Sequence, residues 1–118
     1  MNEFGNQSKS YLQELVRLNK YNLLEFSYEK LDVSTAGVKN LTVPNGAKYA
    51  EISAESSVTA TVPMRYKLLG TSSLPTASDG HAITHLLVFD ISGKPNLDNF
   101  RVIQTGAGTN TLHVTYYK

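Results

Sequence analysis

The pattern of apolar and polar positions changes period at Asn22. Before it, in SYLQELVRLNK, Leu12, Leu15, Val16 and Asn19 follow helical spacing. Ser10 stands where a capping residue belongs, and Gln13 takes the capping-box position. The spacing predicts a short helix from about Tyr11 to Lys20. A helix of about three turns is marginal alone, so its apolar stripe needs a partner, either the chain's own β domain or another subunit. After Asn22 the period is two. Leu24, Phe26 and Tyr28 fall on one face of an extended segment, with Glu25, Ser27 and Glu29 on the other.

Val33 and the run Val38 to Val43 continue the β pattern across a turn at Ala36-Gly37. Pro44-Asn45-Gly46 is a strong turn signal, since proline presets the first corner and Asn or Gly accepts the positive φ that follows. The flanking runs KNLTV and AKYAEISA are expected to pair as a hairpin. Ala50, Ile52 and Ala54 then share a face, as do Val58, Ala60 and Val62, and Met64, Tyr66 and Leu68 repeat the alternation after Pro63. From Ala82 to Ile91 both faces are apolar: Ile83, Leu87 and Phe89 on one, Leu86 and Val88 on the other. Such a strand is expected to be central, or to meet another chain with its outer face. Phe100 and Val102 oppose Arg101 and Ile103, and Leu112, Val114 and Tyr116 oppose His113, Thr115 and Tyr117.

About eight or nine short strands at this spacing predict an all-β fold, an antiparallel β-sandwich of immunoglobulin-like or jelly-roll type with a short N-terminal helix. Residues 1–9 read as a polar lead. Residues 1–21 therefore form an assembly arm, and 22–118 the β domain. At 118 residues the chain suits one domain with a real core. A charged fraction of 18% and a formal net charge of +1 provide no basic stripe for nucleic acid. The absence of cysteine excludes disulfide scaffolds and thiolate metal sites. MNEFGNQSKS carries no apolar signal core and no run reaches membrane-spanning length, which predicts a soluble protein with no membrane partner.

Candidate chemistry is sparse. His81 and His85 are four apart, but on a strand that spacing places them about 13 Å from each other, and His113 has no carboxylate near it in sequence. No metal or cofactor is expected. Gly106-Ala107-Gly108 precedes a strand rather than a helix, so it reads as a hairpin loop and not a phosphate loop. Ser72, Ser73 and Ser78 lie near Asp79 and His81, yet no nucleophile elbow surrounds them. Asp32, Asp90 and Asp98 lack the clustering of a calcium loop. No enzymatic activity is predicted. The segment GTSSLPTASDG, residues 70–80, is long for a connection and is the candidate binding loop, with Leu74, Pro75, Asp79 and His81 as its contact residues. Tyr11, Leu12, Leu15, Val16 and Leu18 are the candidate partner contact on the N-terminal segment.

Three stretches carry a resemblance. R-Y-x-L-x-G-T begins at Arg65, P-T-A-S-x-G-H at Pro75, and F-R-V-I-Q-T-G-A-G-T-x-T-L-H-V-T-Y-Y runs from Phe100 to Tyr117. Together they resemble small tailed-bacteriophage proteins encoded among virion structural genes, over roughly Leu41 to Lys118. The Y-x-L-x-G-T…P-T portion is also similar to a hairpin of immunoglobulin-like modules appended to glycoside hydrolases. The phage resemblance implies an accessory virion protein that decorates or cements the capsid, or sits at the neck or tail. Its partners would be the major capsid protein or neck and tail components, with further copies of itself in a homo-oligomer, assembled in the host bacterial cytoplasm. The alternative is a carbohydrate-binding or adhesin module of a phage tail or cell-surface assembly, using the 70–80 loop.

Overall fold

The computed structural model describes residues 24–118. The helix predicted over Tyr11 to Lys20, with Tyr11, Leu12, Leu15, Val16 and Leu18, lies outside the described residues. Eight strands follow in chain order: β1 (Glu25–Asp32), β2 (Lys39–Asn40), β3 (Tyr49–Ser56), β4 (Met64–Lys67), β5 (His81–Ile83), β6 (Val88–Ser92), β7 (Arg101–Gln104) and β8 (Asn110–Tyr117). They form two four-stranded antiparallel sheets, β1-β8-β3-β6 and β2-β7-β4-β5. The predicted all-β, antiparallel character is therefore present.

Period-two alternation builds the core. Ala50, Ile52 and Ala54 of β3 and Leu112, Val114 and Tyr116 of β8 are buried on one face of the first sheet. They join Met64, Ile83 and Val102 of the second sheet in a single cluster with Leu41, Leu97 and Phe100. Residues of both sheets thus contribute to one buried apolar cluster, and alternation leaves one face of an antiparallel strand for such burial.

Three expectations fail, each where a distant partner overrides a local pattern. The Pro44 turn forms, with the Ala47 N–H donating to the Pro44 carbonyl at 3.2 Å and Gly46 at φ 86°. Its flanks do not pair as a hairpin: β2 pairs with β7, while β3 pairs with β8 and β6. The turn carries the chain from one sheet to the other, so that Leu41 and Ile52 reach the core from opposite sides. Turn chemistry reverses the chain but does not choose the strand it returns beside.

The doubly apolar run is not a central strand. It breaks at a turn in which the Leu87 N–H donates to the Thr84 carbonyl at 3.1 Å and Leu86 takes φ 69°, the position where such a turn favours glycine. The two pieces, β5 and β6, sit at the edges of different sheets. Ile83 and Ile91 are buried, whereas Leu86 and Val88 stay 69% and 57% exposed. The inward positions on both pieces, Ile83, Leu87, Phe89 and Ile91, belong to one face of the run, and the apolar residues of the other face, Leu86 and Val88, turn outward.

At β1 the register shifts between Glu25 and Ser27, leaving Phe26 as the extra residue of a bulge. Beyond the bulge the faces are exchanged. Tyr28 points outward and Leu31 packs on the core, so the predicted Leu24–Phe26–Tyr28 face keeps only Phe26 inside. Glu29 turns inward, where its carboxylate accepts the Tyr116 hydroxyl and the Thr42 N–H, the latter at 2.9 Å. Burial, and next the Glu29 carboxylate, push the Tyr116 phenol above its ordinary value.

Two smaller differences complete the comparison. Residues 57–63, read as a strand through Val58, Ala60 and Val62, are an irregular connection with Ala60 exposed. It is tied down by the Thr105 hydroxyl and N–H, which donate to Val62 and Pro63 carbonyls at 2.5 and 2.9 Å. A short helix, α1 (Lys94–Asn99), has Pro95 in its first turn and buries Leu97. Six residues with one buried apolar side chain are too few for a periodic signal.

We predict that Ile52→Ala lowers unfolding free energy by about 2–5 kcal/mol. Tyr116→Phe should cost about 1–3 kcal/mol, because it strips a charged acceptor of its partner. Val88→Ala should stay within about 0.5 kcal/mol. Urea titrations of the three variants check this, and equal losses at Ile52 and Val88 would contradict the inward face described.

Candidate functional site

The 70–80 loop is pinned from below. Arg65 and Lys67, alternate residues of β4, share one face and reach it from there. The Arg65 guanidinium donates from Nε to the Ala77 carbonyl at 3.3 Å and from Nη1 to the Gly80 carbonyl at 2.9 Å. The Lys67 ammonium donates to Ser73 Oγ at 3.0 Å and pairs with Asp79 Oδ2 at 2.6 Å. Thr76 and Asp79 close a tight turn, exchanging backbone hydrogen bonds of 2.9 and 3.3 Å. At Gly80, with φ 132°, a Cβ would lie 3.0 Å from the Tyr66 carbonyl oxygen, so only glycine lets the loop settle this close.

The predicted loop residues divide. Asp79 and His81 come together beside an open hollow of about 480 Å³ that Lys67, Leu68, Leu69 and Gly80 also line. Leu74 is exposed but outside this lining, and Pro75 is buried beneath the loop as an anchor. Asp79 is held below the usual carboxylate range by the hydrogen bond and the charge of Lys67. The His81 ring centroid lies 5.1 Å from that of Tyr66, which stacks on Phe89 and Phe100 at 4.9 and 5.4 Å. These groups hold the loop to the sheet.

A second polar group, unforeseen in the sequence, spans the outer face of the first sheet. The Tyr28 hydroxyl and His113 Nδ1 share a hydrogen bond of 2.6 Å, and His113 Nε2 meets Glu55 Oε1 at 2.7 Å. Three adjacent strands, β1, β8 and β3, supply these residues. His113, which has no carboxylate near it in sequence, thus acquires one through strand pairing. The usable signal was its outward place in the alternation of β8.

Below Glu55 the strand ends gather. The Ser56 N–H donates to His85 Nδ1 at 3.0 Å, and the Ser56 hydroxyl donates to Asn110 Oδ1 at 2.6 Å. Ser57 and Thr109 exchange backbone and side chain, the Ser57 N–H to the Thr109 carbonyl and the Thr109 N–H to Ser57 Oγ, both at 2.9 Å. Glu55, Ser56, Ser57, His85, Thr109 and Thr111 line a hollow of about 250 Å³.

Other candidates stay apart. His81 begins β5, whereas His85 sits in the turn leading to the other sheet. Among the described residues no three His, Asp or Glu side chains gather as a metal site requires. Asp32 accepts the Ser34 N–H at 2.9 Å, and Asp98 pairs with Lys94 at 2.9 Å. Residues 106–108 lie between β7 and β8, which belong to different sheets, so this turn is a crossover and not the expected hairpin. Among the described residues no helix is long and apolar enough to cross a membrane. Comparison with known protein families, with curated proteins and with solved structures found no match to the chain.

The depressed Asp79 carboxyl fixes the sign of a pH effect. Its native value lies below the unfolded one of about 3.9, so the pair's contribution is complete above that pH. It is lost as pH falls through the native value. We predict an Asp79 titration midpoint below that of an unstructured aspartate, with faster Asp79 amide exchange as it protonates. Carboxyl-detected NMR checks this, and an unshifted midpoint would mean that Lys67 does not hold the loop in solution.

Proposed function

We propose that the chain is a structural protein of a tailed-bacteriophage virion, a decoration or cement protein of the capsid, with its two sheets packed as a β-sandwich. The observation that carries this reading is the use made of the residues behind the resemblance. Arg65 donates to loop carbonyls, Pro75 is buried, and Gly80 allows close approach to β4. From Phe100 to Tyr117 the inward positions Phe100, Val102, Leu112, Val114 and Tyr116 are all core. These residues maintain a rigid scaffold, and rigidity is what a coat component needs.

In this reading Tyr11, Leu12, Leu15, Val16 and Leu18 form the main contact with the major capsid protein or another virion component. Burying three or four such side chains offers roughly 5–10 kcal/mol before ordering costs. Repetition over a symmetric shell lets a far smaller net gain retain each copy through avidity. The buried residues of the described strands form one core cluster.

Co-sedimentation with particles of the phage that encodes the chain tests this. The full chain should pellet with particles, while a variant lacking residues 1–20 keeps a β-type circular dichroism spectrum and stays in the supernatant. A full chain that never pellets would overturn the virion reading. A truncated chain that pellets equally well would move the contact to the β domain.

A further inference from the structure

We propose that the hollow at the end of the first sheet, lined by Glu55, Ser57, His85, Thr109 and Thr111, binds one neutral pyranose unit. The inference does not depend on the virion reading, and it concerns a different place from the 70–80 loop.

The polar inventory of the hollow is mixed in a way that selects among ligands. His85 accepts the Ser56 N–H at Nδ1, which leaves the proton of the neutral ring on Nε2, as a donor. Glu55 takes the His113 contact at Oε1, and its carboxylate has further acceptor positions. Ser57 Oγ accepts the Thr109 N–H, so its own hydrogen is available to donate. The Thr109 and Thr111 hydroxyls make no hydrogen bond within the described residues. One carboxylate, one imidazole donor and three hydroxyls that both give and accept match the adjacent hydroxyls of a sugar ring.

Other ligand classes fit less well. No Lys or Arg lines the hollow, and Glu55 would repel an anion. Only Glu55 and His85 among the lining residues are good metal ligands, too few to complete a coordination shell. The volume of about 250 Å³ is below the range of about 300–1,000 Å³ for drug-sized sites, which restricts the ligand to a single ring.

The lining is also fixed before any ligand arrives. Leu86 has the only positive φ among the described non-glycine residues, a conformation that persists where surroundings impose it. Here β3 imposes it: the Leu86 N–H donates to the Ala54 carbonyl and the Ala54 N–H to the Leu87 carbonyl, each at 2.9 Å. Ser56 holds His85, His113 holds Glu55, and Ser57 holds Thr109. Such preorganisation lowers the ordering cost of binding.

The test is a ¹H–¹⁵N NMR titration of the full chain with methyl α-D-glucopyranoside, methyl α-D-galactopyranoside and N-acetyl-D-glucosamine, each to high millimolar concentration. Sodium glucuronate and methylammonium chloride serve as charged probes. At least one neutral sugar should give saturable shifts at Ser57, His85, Thr109 and Thr111, with no such effect of glucuronate. Glu55→Gln and Thr111→Val, whose spectra report their own folding, should each weaken binding by about tenfold, the loss of roughly one hydrogen bond. The proposal is overturned by the absence of saturable shifts with all three sugars, by shifts that map elsewhere, or by unchanged affinity in both variants. Stronger binding of methylammonium than of any sugar also overturns it and makes the hollow a cation site.

Discussion

The pairing of β3 with β8 is the constraint on which the rest of the molecule depends. Ile52 lies opposite Val114, Ala54 opposite Leu112, and Ser56 opposite Asn110. This register puts Ala50, Ile52 and Ala54 of β3 on the same buried face as Leu112, Val114 and Tyr116 of β8. A slip by one residue would turn that set to solvent and bring Glu51, Ser53, His113 and Thr115 inward. The edge strands β1 and β6 add to this pair from either side, and residues of the second sheet join its buried residues in one cluster. The β1 bulge makes the same point: it places Glu29 within reach of the Tyr116 hydroxyl.

The same register organises the polar ends. Ser56 and Asn110 are both buried and bonded to each other, and Ser34 joins them by accepting the Asn110 N–H at 2.9 Å. Burying such groups is unfavourable unless they are paired, so these bonds specify where β3 ends and β8 begins. That ending places His85, Thr109 and Glu55 around the small hollow. The outer face then receives the Tyr28–His113–Glu55 chain as a consequence of which strands are neighbours.

The proposed coat role and the proposed sugar site are compatible within one domain. The residues behind the phage resemblance lie mostly in β4, the 70–80 loop, β7 and the buried face of β8, where they support the scaffold. Of the hollow's lining, Thr109, Thr111 and the strand end they mark fall inside the last of those stretches, whereas Glu55, Ser57 and His85 fall outside all three. The residues that carry the resemblance and those that line the hollow are therefore largely separate.

Where burial follows from the local period, the sequence was sufficient. Ala50, Ile52 and Ala54, Phe100 and Val102, and Leu112, Val114 and Tyr116 are all legible as inward positions, because alternation is a property of each strand alone. The reversal at Pro44-Asn45-Gly46 was legible for the same reason, since its φ preferences are local. The sheet joined by each strand was not legible, and neither were the break at Leu86 or the bulge at Phe26. The polar sites were hidden more deeply. Tyr28 and His113 are 85 positions apart, and Ser56 and His85 are 29 apart. The candidate loop residues were visible as a long connection, but the burial of Pro75 and the pairing of Asp79 depend on β4 beneath them. Sterics and solvent preference act residue by residue and can be read from the chain. Strand partners and register emerge only when remote segments compete to bury their faces together, and the tertiary structure alone decides that competition.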